Sequence, residues 1–169
     1  GPATTAPYRA WIDNFLTFVE QNGLRLDFIS WHRYSFDPDQ FTADHDLVDR
    51  TLLEHPSISS GLLRFVTEWG PDSDTSPAND GRLGAAHLAQ VTRQSLGQID
   101  RLYTFEVVDG ADPGGAAYWG RWGLLTHPTH GAIAKPRYLA IQLLNRLSGL
   151  WLTVSGEGSW VRAIPSRRR

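Results

Sequence analysis

The chain has no cysteine and no methionine among its 169 residues, and its positive charge is almost all arginine, with Lys135 the single lysine. Without cysteine there is no disulfide, no thiolate nucleophile and no cysteine-based metal site. The absence of methionine even at position 1 raises the expectation of a processed or excised piece, and Gly1-Pro2 is compatible with a protease scar. Net charge is also scarce. Sixteen Lys and Arg against eighteen Asp and Glu leave −2, which gives no reason to expect nucleic acid or an anionic membrane as partner. The terminal Arg167-Arg168-Arg169 is too short a run to count as a nucleic-acid patch. No apolar run approaches the ~20 residues of a membrane span, no signal peptide is visible, and no compartment is readable.

What is present is ordinary for a globular α/β chain: 41% hydrophobic and 20% charged residues, with seven Trp, seven Phe and five Tyr. Three segments read as strands: 26–32 (LDFISWH), 63–68 (LRFVTE) and 102–108 (LYTFEVV). Each is short, apolar and rich in aromatic or β-branched residues, as buried parallel strands are. Helical patterns separate them. Tyr8, Trp11, Ile12, Phe15 and Val19 share one helix face ahead of Gly23, and Ala85, Leu88, Ala89, Thr92, Leu96 and Ile99 form a second stripe. A weaker pattern covers 43–54. The clearest helix starts at Pro136, carries Ala140, Leu143, Leu144 and Leu147, and stops at Gly149. Alternating strand and helix predicts a parallel sheet with right-handed crossovers. Three such units do not fill a closed barrel of about 250 residues. The tail differs: two alternating runs, 150–154 and 160–164, flank Ser155-Gly156-Glu157-Gly158-Ser159 and predict a β-hairpin.

In parallel α/β folds, ligands bind at the carboxyl ends of the strands. The first strand ends SWHRYSFD, where Ser30, His32 and Tyr34 alternate and so share a face. The second ends on Glu68 and Trp69 before Gly70-Pro71, and a carboxylate beside a core needs a partner. The third ends FEVVDGADPGG, offering Glu106, Asp109 and Asp112 near Gly114-Gly115. Carboxylates that accept hydroxyl hydrogen bonds, with indoles that stack on sugar C–H faces, suit a polyhydroxylated ligand. Each residue also has a plainer reading: His32 and Tyr34 as satisfied strand-end residues, Trp69, Trp119 and Trp122 as packing, Glu68 as a solvated surface charge. His127 and His130 have ligand-like spacing but no matching cluster elsewhere, so no metal is expected. There is no GxGxxG and no phosphate-binding loop, so no nucleotide cofactor is expected.

DFISWHRY, RFVTEWGPD, LYTFEVVD and WGLLTHPTHGAIAKPRYLAIQLLNRLSG, in this order, resemble the later part of glycoside hydrolase family 39, which contains β-xylosidases and α-L-iduronidases. The opening GPA is similar to the Gly-Gly-Pro-Ala segment that follows the family's fifth strand. The resemblance implies a partial (β/α)8 TIM barrel, about strands six to eight with their helices, over residues 1–149. Residues 150–169 would then begin an accessory β-domain with its first hairpin. It implies Glu68 as the nucleophile of retaining hydrolysis on a glycoside or oligosaccharide, with no cofactor. His32 and Tyr34 would orient the nucleophile and hold the sugar, with Trp69, Glu106, Asp109 and Asp112 as further substrate contacts. Retaining hydrolysis also needs an acid/base carboxyl, which the family supplies from an Asn-Glu pair. No Asn here is followed by Glu, so the acid/base is expected to be absent from this chain.

The family's strand-eight pattern Tyr-Trp-Thr-Phe-Ser-Asp is replaced here by Leu102-Tyr103-Thr104-Phe105-Glu106-Val107, which exchanges an indole for a phenol and a small hydroxyl residue for Glu106 where the family binds its sugar. Two other readings stand beside the hydrolase: a non-catalytic carbohydrate-binding or interaction module on the same scaffold, and an α/β domain in which Glu68 is structural. An open sheet of three or four parallel strands also predicts self-association through its edges.

Overall fold

Short β-rich runs punctuated by amphipathic helices resolve into an α/β chain, seen here in a computed structural model that describes residues 1–58, 61–111, 114–115, 120–158 and 161–167. Four parallel strands pair in sequence order: β1 (Pro2–Thr4), β2 (Phe28–Tyr34), β3 (Leu63–Gly70) and β4 (Arg101–Thr104). Between and after them lie α1 (Arg9–Gln21), α2 (Asp39–Leu52), α3 (Arg82–Ser95) and α4 (Pro136–Leu144). Sequential strand order with crossovers of one hand puts every connecting helix on the same side of the sheet. Accordingly α1, α2 and α3 send Ile12, Leu16, Phe41, Val48, Leu88 and Val91 into one core with Ile29, Trp31, Val66 and Trp69 of the sheet. Each of these is at most 3% exposed.

Among the described residues, no helix lies over the other side of the sheet. Phe28, Leu63 and Tyr103 are 36%, 42% and 51% exposed, and Phe28 stacks on Phe65 with ring centroids 4.7 Å apart. Phe65 in turn meets Tyr103 edge-on at 6.4 Å, so an aromatic row crosses three strands on this open face.

Several sequence expectations need correction. The opening Pro-Ala-Thr is itself a strand paired with β2, which its proline and brevity concealed. Within α1 the buried stripe is Ile12, Leu16 and Val19, whereas Tyr8 and Trp11 are 53% and 65% exposed. β4 is shorter than the predicted 102–108. It stops at Thr104, and Glu106-Val107-Val108 leave the ladder although their β propensity suggested otherwise. Helix α4 ends at Leu144 rather than running to Gly149. The tail pairs β5 (Leu150–Trp151) with β6 (Ser166–Arg167), antiparallel, so the described part of 160–164 is not the partner strand. This tail docks on α3, where Arg93 bonds Glu157 at 2.7 Å and the carbonyl of Ala163 at 3.1 Å.

Candidate active site

Glu68 owes its direction to the way β3 accommodates one extra residue. On β2, Trp31 and His32 are consecutive, yet their partners on β3 are Val66 and Glu68. On the other flank Leu102 and Thr104 are two apart, whereas their partners Val66 and Trp69 are three apart. Both neighbours therefore count one residue too many in β3, and the surplus is Thr67. Strand side chains alternate between faces, so with Thr67 taken into the ladder as an ordinary residue Glu68 would share Val66's face and enter the core. Because Thr67 is bulged out of the count, Glu68 leaves on the open side with His32 and Tyr34, and Trp69 returns to the covered side. An inserted strand residue that re-aims a side chain is the general action of a bulge. The Thr67 hydroxyl donates to the carbonyl of Trp31 at 3.3 Å, which ties the inserted residue back to β2.

The Tyr34 hydroxyl donates to Glu68 Oε1 at 2.7 Å, and His32 Nδ1 lies 3.7 Å from Oε2. The Glu68 side chain is 31% exposed, so its carboxylate is held from one side and open on the other. Burial, together with the bond and the charge of Glu68, pushes the Tyr34 phenol above its usual range. Tyr34 therefore remains a donor. Between His32 and Tyr34, Arg33 points the other way and grips buried Asp44 of α2 through Nε at 2.5 Å and Nη2 at 2.7 Å. That fork fixes the strand end whose alternate residues face Glu68.

Glu106 stands just past β4, after a cis peptide from Phe105. Its backbone is held on both sides, by N–H donation to the carbonyl of Trp122 and acceptance from the N–H of Leu124, both at 2.8 Å. Burial raises its carboxyl above the usual range, aided by the charges of Asp109 and Glu68 and opposed by Lys135. Glu106 is thus electrostatically coupled to Glu68 across the same rim.

Two other sequence-predicted residues serve the frame rather than the rim. Trp69 is 3% exposed and packs edge-on against Phe41 at 5.6 Å and beside His87 at 6.0 Å, so its indole is core and not a sugar platform. Asp109 is 1% exposed. It accepts from Lys135 Nζ at 2.7 Å and from the N–H of Gly123 at 2.8 Å, so it braces the loop after β4. Asp112 and Trp119 lie outside the described residues. His127 is engaged with Thr129 in the 3₁₀ turn Pro128–His130, and no group of three or more His, Asp or Glu among the described residues is arranged to hold a metal ion.

Sequence reasoning missed Arg137, which composition alone would put on the surface. It is 1% exposed in the first turn of α4. Its guanidinium donates to the carbonyls of Trp122 at 2.9 Å and Phe105 at 3.4 Å, to Asn79 Oδ1 at 3.3 Å, and to the hydroxyl of Thr104. Burial pushes its pKa down to about 10, which still leaves it a cation at neutral pH. Gly84 makes room for it, since a Cβ there would lie 3.0 Å from Arg137 Cδ and 2.6 Å from the carbonyl oxygen of Ala78. Arg137 and Glu106 converge on the Trp122 carbonyl, so the cation anchors the segment that carries Glu106. The sole lysine, Lys135, was a readable signal: it is buried between Asp80 and Asp109, 2.7 Å from each.

Comparison with known proteins supplies the context. The glycosyl hydrolases family 39 model matches residues 1–167. Beta-xylosidases of Geobacillus stearothermophilus and Caldicellulosiruptor saccharolyticus are each 28% identical to it over 93% of this chain, which covers 34% of their length. Among solved structures, a monomeric beta-xylosidase from Caulobacter crescentus CB15 superposes with a TM-score of 0.74 at 24% identity, covering 88% of this chain and 33% of that one. The family 39 enzyme of Xanthomonas axonopodis pv. citri gives 0.70 at 23% identity, covering 86% and 32%. The chain thus spans about a third of the length of the relatives it matches.

Proposed function

Because the chain belongs to glycosyl hydrolases family 39, we propose that it is the nucleophile-bearing part of a retaining, β-xylosidase-like glycosidase, with Glu68 as nucleophile. Residues 1–149 would form part of a (β/α)8 barrel, and 150–169 the start of an accessory β-domain. The single observation that carries the reading is the Tyr34–Glu68 bond of 2.7 Å, which leaves the second carboxylate oxygen beside His32 and open to the rim. A carboxylate oriented by a phenol that stays protonated is suited to approach an anomeric carbon.

In the proposed reaction a Glu68 oxygen bonds to the anomeric carbon while the glycosidic C–O bond breaks. The departing oxygen takes a proton from a second carboxyl, which then deprotonates the water that releases the sugar and regenerates Glu68. Retaining geometry sets that second carboxyl about 5–5.5 Å from the first. The Asn-Glu pair that supplies it in the family is not in this sequence, so the acid/base would come from polypeptide beyond these 169 residues. The chain alone should therefore not turn over an unactivated disaccharide, since general acid–base help is worth about 10²–10⁴-fold.

The test is covalent labelling with a 2-deoxy-2-fluoroxyloside carrying a dinitrophenolate leaving group, which needs no acid. Peptide mapping should find the adduct within 65–69, and Glu68→Gln should abolish it. An adduct on Glu106 would overturn the assignment. Absence of any adduct, with xylobiose still bound, would favour a non-catalytic carbohydrate-binding module.

A further inference from the structure

We propose that Gly70 is a positioning residue: its missing side chain lets the edge of the Tyr34 ring come close against β3, and thereby sets the hydrogen bond that orients Glu68. The proposal rests on reading Glu68 as the reactive carboxylate.

Gly70 closes β3 and stands directly opposite Tyr34 in the β2–β3 register. A backbone reason for glycine is lacking, because Gly70 does not lie in the left-handed region where glycine is favoured. The reason is space. A Cβ added to Gly70 would sit 3.1 Å from Tyr34 Cε1 and 3.4 Å from Cδ1, closer than ordinary van der Waals contact at the first atom. The next nearest atom is Asn79 Oδ1 at 3.9 Å, so the ring is the principal obstacle.

The ring is held at both ends. Its hydroxyl is committed to Glu68 at 2.7 Å, and its backbone is locked by the strand ladder and by the N–H of Ser35 donating to the carbonyl of Gly70 at 3.1 Å. A side chain at position 70 therefore displaces the phenol from Glu68 rather than rotating it harmlessly into solvent. Counting from the surplus Thr67, Glu68 and Gly70 fall on the same face as Tyr34. The end of β3 thus carries two adjustments for one contact: a bulge that takes Thr67 out of the count and keeps the carboxylate outward, and an empty side chain that admits its donor.

Proton NMR of the whole chain reads the contact directly. The Tyr34 hydroxyl should give a downfield, slowly exchanging resonance, assigned by its loss in Tyr34→Phe and expected to collapse in Glu68→Gln. In Gly70→Ala it should move upfield and exchange at least about tenfold faster, as fits loss of one bond to a charged acceptor. In Gly70→Val it should vanish. A double-mutant cycle keeps the proposal exposed if a variant folds poorly. Gly70→Val should lower the urea midpoint in the native background but not in Tyr34→Ala, where the ring is gone. An unchanged resonance in folded Gly70→Val, or an equal loss of midpoint in both backgrounds, would overturn the proposal. Neither measurement involves a sugar. A fluorosugar adduct away from Glu68 would sink the functional reading while leaving the Gly70–Tyr34 coupling intact.

Discussion

The two faces of the sheet are built from similar residues and solve different problems. On the covered face Ile29, Trp31, Val66 and Trp69 are at most 3% exposed against three helices. On the open face Phe28, Phe65 and Tyr103 form an equally aromatic row, yet Phe28 and Tyr103 are 36% and 51% exposed. Aromatic content therefore does not distinguish core from site. What distinguishes them is whether the chain itself supplies a second layer, and the polar site residues stand only where it does not.

The sharpest test of this contrast is a pair of truncations on one strand. Trp31→Ala should cost about 3–5 kcal/mol in urea denaturation, as large buried aromatics do. Phe28→Ala, three residues earlier, should cost less than about 1.5 kcal/mol, because its stacking is worth only that order and much of its surface is already wet. Equal costs would mean that something covers the open face in solution.

A smaller effect is expected from association. An uncovered aromatic row between two unpaired strand edges should drive self-association. Tyr103→Lys, which places a charge on the row at edge strand β4, should weaken it at least about tenfold, or roughly 1.4 kcal/mol, by sedimentation velocity. A wild-type chain that stays monomeric at high concentration would contradict this.

The covered side should respond to pH through two histidines of opposite sign. Burial pushes the His55 pKa down, but its bonds to Glu20 at 2.8 Å and Asp13 at 3.0 Å outweigh that and raise it. Its stabilisation is complete below the ordinary histidine pKa and is lost as pH rises through the raised folded value. His87 is lowered, chiefly by burial, and bonds the carbonyl of Ser35 at 2.8 Å. Its contribution is present above the ordinary pKa and fades as pH falls below it. His55→Gln should flatten the alkaline side of a stability–pH curve, and His87→Gln the acidic side. Glu68→Gln on the open rim, which exchanges a charged acceptor for a neutral one, should cost no more than about 1.5 kcal/mol, despite its predicted loss of covalent labelling.

The sequence made the sheet legible where propensity and pattern agreed. β2, β3 and their helices followed from β-branched and aromatic runs bounded by glycine and proline. The Thr-Glu-Trp strand end pointed to Glu68, and the residues His32 and Tyr34 do meet it. Trp69 was misread because alternation assumes an unbroken count, and Thr67 breaks it. Glu106 was misread as mid-strand because Val107 and Val108 extend a β-like pattern after the backbone has turned to Trp122 and Leu124. The burial of Asp109 and Arg137 was invisible for another reason: charge normally reports the surface, and only their surroundings make burial tolerable.

The surplus residue in β3 separates two kinds of evolutionary change that usually differ only in severity. Exchanging Thr67 for another residue alters one weak hydroxyl contact of 3.3 Å. Deleting it would make Val66 and Glu68 consecutive opposite Trp31 and His32, so the ladder would become regular and every later side chain would keep its face. A residue that the ladder took up without a bulge would instead exchange the faces of everything beyond it, sending a carboxylate inward and an indole outward. At this position the bulge, more than the identity of its residue, decides which letters face the rim. A comparison of relatives that opened a gap at Thr67 would still match residues that stand on the same faces.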